Sequence, residues 1–161
     1  MRITIVGGSK GRGARLAEAA RDAGHEVTTL SRSGDGPSGV TNLPGDATDP
    51  TSVRDALSGA DAVVVTVGGA KGVRHHRSAV THAVVEAMRA EGVRRLVVQS
   101  SLGAGDSGSQ MPLPLRVVMK ALLARPLADH DRQESIVRDS GRLQLRDLAC
   151  LVMHRLRIVP A

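Results

Sequence analysis

The stretch Ile3-Thr4-Ile5-Val6-Gly7-Gly8-Ser9-Lys10-Gly11-Arg12-Gly13 decides the fold of this chain. Its first four residues, mostly β-branched, predict a short strand, and the glycines after them predict a tight turn. A helix is predicted next, because small apolar residues recur at helical spacing until Gly24 ends the pattern. Strand, glycine loop and helix in this order are typical of the start of a βαβ unit.

The three glycines Gly7, Gly11 and Gly13 are spaced G-x-x-x-G-x-G. Glycine permits positive φ angles and lets backbone N–H groups approach a pyrophosphate without a Cβ clash. The helix that follows points the positive end of its dipole at the same place. An ordinary glycine-rich turn is the alternative, but the position between a first strand and a first helix favours dinucleotide binding. The predicted binding residues of this loop are Gly7, Ser9, Lys10, Gly11, Arg12 and Gly13.

Strands and helices continue to alternate beyond this loop. Strands are predicted at 26–30, 40–43, 61–67 and 94–99, and helices at 50–57 and 74–91. Segment 61–67 is almost wholly apolar, as are strands buried on both faces of a parallel sheet. The pattern predicts an α/β fold of Rossmann type, with a doubly wound parallel sheet in a single domain. Further helices are predicted near 115–123 and 128–139.

The composition restricts the chemistry, because the 161 residues include no Phe, Trp or Tyr. No phenol can donate a proton, and none of these three rings can stack on a base. The formal charge is +6, half of it in residues 142–161, and no basic stripe indicates nucleic-acid binding. The only cysteine is Cys150, and neither a signal peptide nor a membrane span is recognisable. We therefore expect a soluble cytoplasmic protein without a membrane partner; the sequence leaves the oligomeric state open.

Arg32 indicates which dinucleotide is preferred. NAD-selective sites carry an acidic residue at the end of the second strand, where it binds the ribose 2′-hydroxyl. Here that place holds Ser31-Arg32-Ser33. Arg32, with Lys10 and Arg12 in the loop, suits the 2′-phosphate of NADP, so NADP is predicted over NAD. The alternative is that Arg32 is a solvated loop residue.

Four further segments complete a family resemblance. They are Gly45-Asp46-Ala47-Thr48-Asp49, Val67-Gly68-Gly69, Ser100-Ser101-Leu102-Gly103-Ala104-Gly105, and the run from Asp129 to Gly141. Together with the glycine loop they resemble the short-chain dehydrogenase/reductase superfamily. Within it, the resemblance is to the atypical NAD(P)-binding branch of NmrA-like and biliverdin-reductase-B-like proteins, and it covers residues 1–141.

The resemblance implies roles for these residues. Asp46 and Ala47 would contact the adenine, and Val67, Gly68 and Gly69 would lie near the nicotinamide-side ribose. Ser100 would bind the cofactor, and Ser101 would face the nicotinamide and the substrate. For Asp46 the alternative is a turn-forming residue, and for the two serines it is capping of local backbone.

The chain departs from the family at its catalytic pair. The Tyr-x-x-x-Lys pair of the family would fall at Pro126 and His130, and neither residue is kept. Protons for hydride chemistry would then come from Ser101, His130 or water, although His130 is equally expected as a structural histidine. No G-x-S-x-G elbow supports a hydrolase. The spacing of His75, His82 and Glu86 is not that of a helical metal site, so no metal is assigned.

The segment after Gly141 is the second departure, because residues 142–161 do not resemble the family. We expect a Rossmann domain over 1–141 and a divergent tail over 142–161, with the substrate-side segment missing or altered. A frameshift or truncation and a diverged helix over 143–156 are both open explanations. The predicted function is an NADP-preferring oxidoreductase that transfers hydride to an unidentified small substrate. The alternatives are a non-catalytic NADP sensor of NmrA-like type and an inactive truncated relative.

Overall fold

Five parallel strands form one sheet in the order β3-β2-β1-β4-β5. The computed structural model describes residues 1–68, 75–99 and 128–140. The strands are β1 (Arg2–Val6), β2 (Glu26–Ser31), β3 (Thr41–Pro44), β4 (Ala62–Val65) and β5 (Arg95–Val98). The helices are α1 (Gly11–Asp22), α2 (Pro50–Leu57), α3 (His76–Glu91) and α4 (128–139). The predicted α/β fold with a doubly wound parallel sheet is confirmed.

The strand order reverses between β1 and β4, which lie side by side at the centre of the sheet. Val6 of β1 is in register with Leu30 of β2 on one side and with Val65 of β4 on the other. The chain runs outward from β1 through β2 to β3, and then crosses back to β4 and β5. A crevice opens at such a reversal, beyond the carboxyl ends of the strands, because the connections leave in opposite directions.

Alternate residues of β1 pack on opposite faces of the sheet. Ile5 belongs to a small cluster with Ala17 and Ala20 of α1. Val6 belongs to a larger cluster with buried residues of α2, α3 and α4. Successive side chains of a strand point to opposite faces, so both faces are covered by helices. Both clusters are aliphatic, as the composition requires.

Glycine, proline and capping residues mark helix ends at positions that the sequence predicts. Gly24 and Gly92, just beyond α1 and α3, have φ angles of 82° and 70°, a left-handed conformation that glycine adopts readily. Asp49 caps α2 by accepting a hydrogen bond from the Ser52 N–H at 2.8 Å, and Pro50 occupies the first turn.

The fourth strand is shorter than the predicted 61–67, since β4 ends at Val65. The Thr66 hydroxyl lies 3.2 Å from the carbonyl oxygens of both Val6 and Gly7, so the chain turns toward the glycine loop. The helix predicted near 128–139 is present as α4. The helix expected near 115–123 and the tail 142–161 lie outside the described residues. Across the described ranges, no helix combines the length and apolar character that a membrane crossing needs.

Candidate functional site

A cleft of about 310 Å³ lies at the carboxyl ends of β1, β2 and β4. Its position coincides with the reversal of strand order, where α/β folds of this kind bind ligands. Its walls come from the glycine loop, the two segments that follow β2 and β3, the segment after β4 and the start of α3. The lining residues are Gly7, Ser9, Lys10, Leu30, Ser31, Arg32, Gly45, Asp46, Ala47, Thr66, Val67, Gly68 and His76.

The glycine loop depends on the absence of side chains at two positions. Gly7 has a φ of 95°, and its N–H donates to the Leu30 carbonyl at 2.9 Å. Gly13 is buried, and a Cβ there would overlap the Gly7 carbonyl oxygen and lie 2.6 Å from Thr66 Oγ1. Close packing of α1 against β1 and β4 therefore requires glycine at position 13.

The amino end of α1 lacks a side-chain cap. Lys10 stands at the N-cap position with extended backbone angles and no capping hydrogen bond, and the first turn holds no acidic residue. In contrast, Asp49 caps α2. Uncapped N–H groups and the positive end of the helix dipole favour an anion at this position. The glycine loop thus has the local electrostatics of a phosphate site.

Two of the three predicted cations line the cleft. Lys10 and Arg32 are exposed side chains in its wall, in the loop after β1 and directly after β2 respectively. Arg12 lies in the first turn of α1 and is not among the lining residues. The segment after β2 is held in place by the Gly45 N–H, which donates to the Ser31 carbonyl at 2.9 Å.

Asp46 supplies the negative charge of the cleft. Its Oδ1 accepts hydrogen bonds from the Thr48 N–H and the Thr48 hydroxyl, both at 2.8 Å. These hydrogen bonds lower the pKa of the Asp46 carboxyl against the opposing effect of burial, and the charges of His76 and Arg32 add a weaker lowering. An ionised, oriented carboxylate is an acceptor for ligand hydroxyl or amino groups.

The structure brings eight of the predicted cofactor residues together in this lining. They are Gly7, Ser9, Lys10, Arg32, Asp46, Ala47, Val67 and Gly68. Gly11 and Gly13 belong to the loop and to α1 without lining the cleft. Gly69, Ser100 and Ser101 lie outside the described residues.

His130, the other residue considered for proton transfer, lies on α4 and is not in the cleft lining. It is only 6% exposed, and its Nδ1 has no hydrogen-bond partner among the described residues. Burial lowers the pKa of the imidazole, and the charge of Arg77 lowers it further, against the opposing effects of Asp129 and Gln133. The environment of His130 is that of a buried neutral histidine.

The start of α3 is capped by a residue from α4. His75, at the N-cap position, has a φ of 58° and makes no side-chain cap. Instead the Asp129 carboxylate accepts from the Arg77 N–H at 3.0 Å, the Ser78 N–H at 3.2 Å and the Ser78 hydroxyl at 2.7 Å. Burial opposes ionisation, but these hydrogen bonds outweigh it and lower the pKa of Asp129. One turn further along, Gln133 Nε2 donates to the Thr81 hydroxyl at 2.9 Å.

Several lining residues have no counterpart in the sequence prediction. Thr66 and Ser31 directly border predicted segments, so the ends of the strands were a usable signal for them. His76 falls within the helix predicted at 74–91 and has no functional role in the sequence prediction. It is the first residue of α3, and it also lines the cleft.

Metal-binding side chains do not converge in the part of the chain that the structure describes: no three His, Cys, Asp or Glu residues there could hold an ion together. Of the residues considered for a helical metal site, Glu86 pairs with Arg89 at 2.6 Å.

Comparison with known proteins identifies the class. A family described as NAD(P)H-binding matches residues 7–144. The chain therefore belongs to this NAD(P)H-binding family, and the oxidoreductase-like resemblance to atypical short-chain dehydrogenases/reductases is confirmed. No curated protein sequence matches significantly.

Solved structures agree with the family. ChuY, an anaerobillin reductase from Escherichia coli O157:H7, is 25% identical with a TM-score of 0.72, over 90% of this chain and 70% of that one. A putative exported protein from Burkholderia pseudomallei is 26% identical with a TM-score of 0.69, over 92% and 71% of the two chains. WbmH from Bordetella bronchiseptica, solved with NAD+, is 18% identical with a TM-score of 0.69, over 92% and 55%, and shows the fold alone.

The cleft fits a nicotinamide dinucleotide. The uncapped amino end of α1 and the Gly7 turn suit a pyrophosphate, and the oriented Asp46 carboxylate suits the hydroxyl or amino groups of an adenosine. A Cβ at Gly13 would displace the helix that forms this end of the cleft. The fold and this donor set define a dinucleotide-binding protein of oxidoreductase-like family.

Proposed function

We propose that the protein is an oxidoreductase that prefers NADP(H) and transfers hydride between the nicotinamide and a small substrate. The observation that carries the NADP preference is the charge at the adenosine side of the cleft. Arg32 follows β2 in the cleft wall, Lys10 lines the same cleft, and the segment Ser31-Arg32-Ser33 holds no carboxylate. A 2′-phosphate is attracted there, and a 2′-hydroxyl would lack an acidic partner.

The proposed assignment of residues follows the order of groups along a dinucleotide. Gly7, Ser9 and Lys10 would hold the pyrophosphate, together with the N–H groups at the start of α1. Asp46 and Ala47 would contact the adenine. Val67, Gly68 and Gly69 would lie near the nicotinamide-side ribose, and Ser100 and Ser101 would meet the nicotinamide and substrate. The dinucleotide supplies the hydride, while the protein orients it and excludes water.

Other parts of the proposal rest on the sequence. These are a Rossmann domain over 1–141, a divergent tail over 142–161, and a cytoplasmic location. The substrate would meet the nicotinamide beside Ser101, so its identity depends on residues outside the described ranges.

Arg32→Asp tests the nucleotide preference. The substitution replaces an attraction to the 2′-phosphate with a repulsion, so the dissociation constant for NADPH should rise about 10- to 100-fold. Affinity for NADH should change less than threefold or improve. Both constants can be measured by titrating the fluorescence of the reduced nucleotide.

Arg15→Asp is the matched control, because Arg15 is an exposed arginine of α1 outside the cleft lining. This substitution should change the dissociation constants for NADPH and NADH by less than about twofold, because solvent and salt screen a charge on the surface. Equal losses of NADPH and NADH affinity in Arg32→Asp would show that Arg32 does not recognise the 2′-phosphate.

A non-catalytic NADP sensor is the second candidate, favoured by the absence of the tyrosine that the family uses as its proton donor. The chain contains no tyrosine, and His130 is buried on α4 away from the cleft lining. Following NADPH absorbance with quinones, flavins and aldehydes separates the two functions. Binding without oxidation of NADPH favours the sensor, and turnover favours the enzyme. Failure to bind either nucleotide favours an inactive relative.

A further inference from the structure

His76 lies in the wall of the cleft, and its imidazole is a flat ring. The chain contains no Phe, Trp or Tyr that could serve as one. Six histidines are present in the sequence, and among the described ones His76 alone lines the cleft. Its side chain is half-buried rather than solvated. The imidazole is thus the aromatic surface that the described part of the cleft can offer to a bound base.

His76 lies in the cleft wall together with Asp46 and Arg32. The charges of both His76 and Arg32 act on the Asp46 carboxyl, and all three residues line the cleft. Arg32 follows β2, at the position where this fold recognises the adenosine ribose. We therefore assign His76, with Asp46 and Arg32, to the adenosine end of the cleft.

The backbone on both sides of His76 is held firmly. His75 adopts a left-handed conformation with a φ of 58°, and Asp129 accepts hydrogen bonds from the N–H groups of Arg77 and Ser78. A side chain on a backbone that is already fixed loses less conformational freedom when a ligand packs on it. Asp129 is in this respect a positioning residue for His76.

We infer that the imidazole of His76 is the surface on which the adenine base of the dinucleotide stacks; this inference rests on the proposed function. Nucleic-acid-binding proteins stack bases on His as well as on Phe, Tyr and Trp, and also on Arg guanidinium planes. In a chain without the three larger rings, His76 takes their place. The guanidinium of Arg32, on another wall, remains available for the 2′-phosphate.

His76→Ala, His76→Phe and His76→Lys, each titrated with NADPH and with 2′,5′-ADP as competitor, test this inference. Removing a ring that stacks on a base should raise the dissociation constants of both ligands by the same factor, roughly 5- to 150-fold. Phenylalanine keeps a flat ring without charge and should restore both constants to within about threefold of wild type. Lysine supplies a charge without a ring and should not restore them.

His82→Ala is the matched control, since His82 is an exposed histidine of the same helix outside the cleft lining. Unchanged NADPH affinity in His76→Ala, alongside normal wild-type binding, overturns the inference and leaves the proposed function standing. Restoration by lysine but not by phenylalanine also overturns it, because charge would then be the cause. A wild-type protein that binds neither NADPH nor NADH overturns the proposed function and this inference with it.

Discussion

Asp129→Ala removes the one side chain that is seen to cap the amino end of α3. The Asp129 carboxylate is 6% exposed and accepts three hydrogen bonds, two from backbone N–H groups and one from the Ser78 hydroxyl. His75 offers no replacement, since its side chain makes no capping hydrogen bond. The substitution therefore leaves the first turn of α3 without an acceptor.

The expected loss follows from these contacts. A missing helix cap costs about 0.5–2 kcal/mol. Buried donors left without a partner add about 1–3 kcal/mol. Because the same carboxylate makes all three hydrogen bonds, we expect a total loss of about 2–4 kcal/mol in the free energy of unfolding. Asp129→Asn retains one acceptor oxygen and should lose about half as much.

Urea unfolding followed by far-UV circular dichroism measures this loss, because the chain has no Trp or Tyr for intrinsic fluorescence. Asp139→Ala is the control on the same helix. Asp139 is exposed, and within the described residues it accepts one hydrogen bond, from the Ser135 hydroxyl at 3.2 Å. Its removal should change the free energy of unfolding by less than about 0.5 kcal/mol.

The pH dependence of the free energy of unfolding tests the capping role of Asp129 in a second way. The pKa of Asp129 is lowered in the folded protein, so its stabilisation is present above the ordinary value of 3.8 and is lost as the pH falls through the lowered folded value. The difference between wild type and Asp129→Ala should be full at pH 7 and shrink below about pH 4. A loss at pH 7 no larger than that of Asp139→Ala would refute the capping role.

Two further substitutions probe the loop and the buried histidine. Gly13→Ala should cost about 1–3 kcal/mol in urea unfolding and weaken NADPH binding, because its Cβ meets the Gly7 carbonyl; an unchanged midpoint would mean that α1 moves away freely. His130 has a lowered pKa, so wild-type stability should fall as the pH drops below about 6.5, by up to about 1.4 kcal/mol per pH unit. His130→Gln should flatten this slope between pH 7.5 and 5.5; parallel curves would assign the slope to other groups.

Features that depend only on residues close together in the sequence could be predicted from it. The glycine loop after β1, the ends of α1 and α3 at Gly24 and Gly92, and the start of α2 at Pro50 are local in origin. Each follows from the allowed φ angles of glycine or proline, or from a nearby cap. The cofactor residues that border the strands were predictable for the same reason, since parallel strands present their carboxyl ends at one edge.

The roles of Arg12 and His76 could not be predicted in this way. Arg12 and Lys10 are two residues apart, yet only Lys10 lines the cleft, because the first turn of α1 carries Arg12 away from it. His76 resembles any polar residue at the start of a helix until the fold places it in the same cleft wall as Asp46. A local sequence pattern does not show in which direction a helix carries a side chain. It also does not show which segments, far apart in the sequence, lie close together in the fold.

The sequence by itself determined that strands and helices alternate and that a dinucleotide loop follows the first strand, because these features arise from periodicity and glycine geometry. Only the tertiary structure decided that β1 lies between β2 and β4, and hence where the cleft opens. It alone joined Asp129 to the start of α3 across more than fifty positions of the chain. Such contacts are selected by burial and by unsatisfied backbone donors, and these exist only once the sheet and its helices have packed.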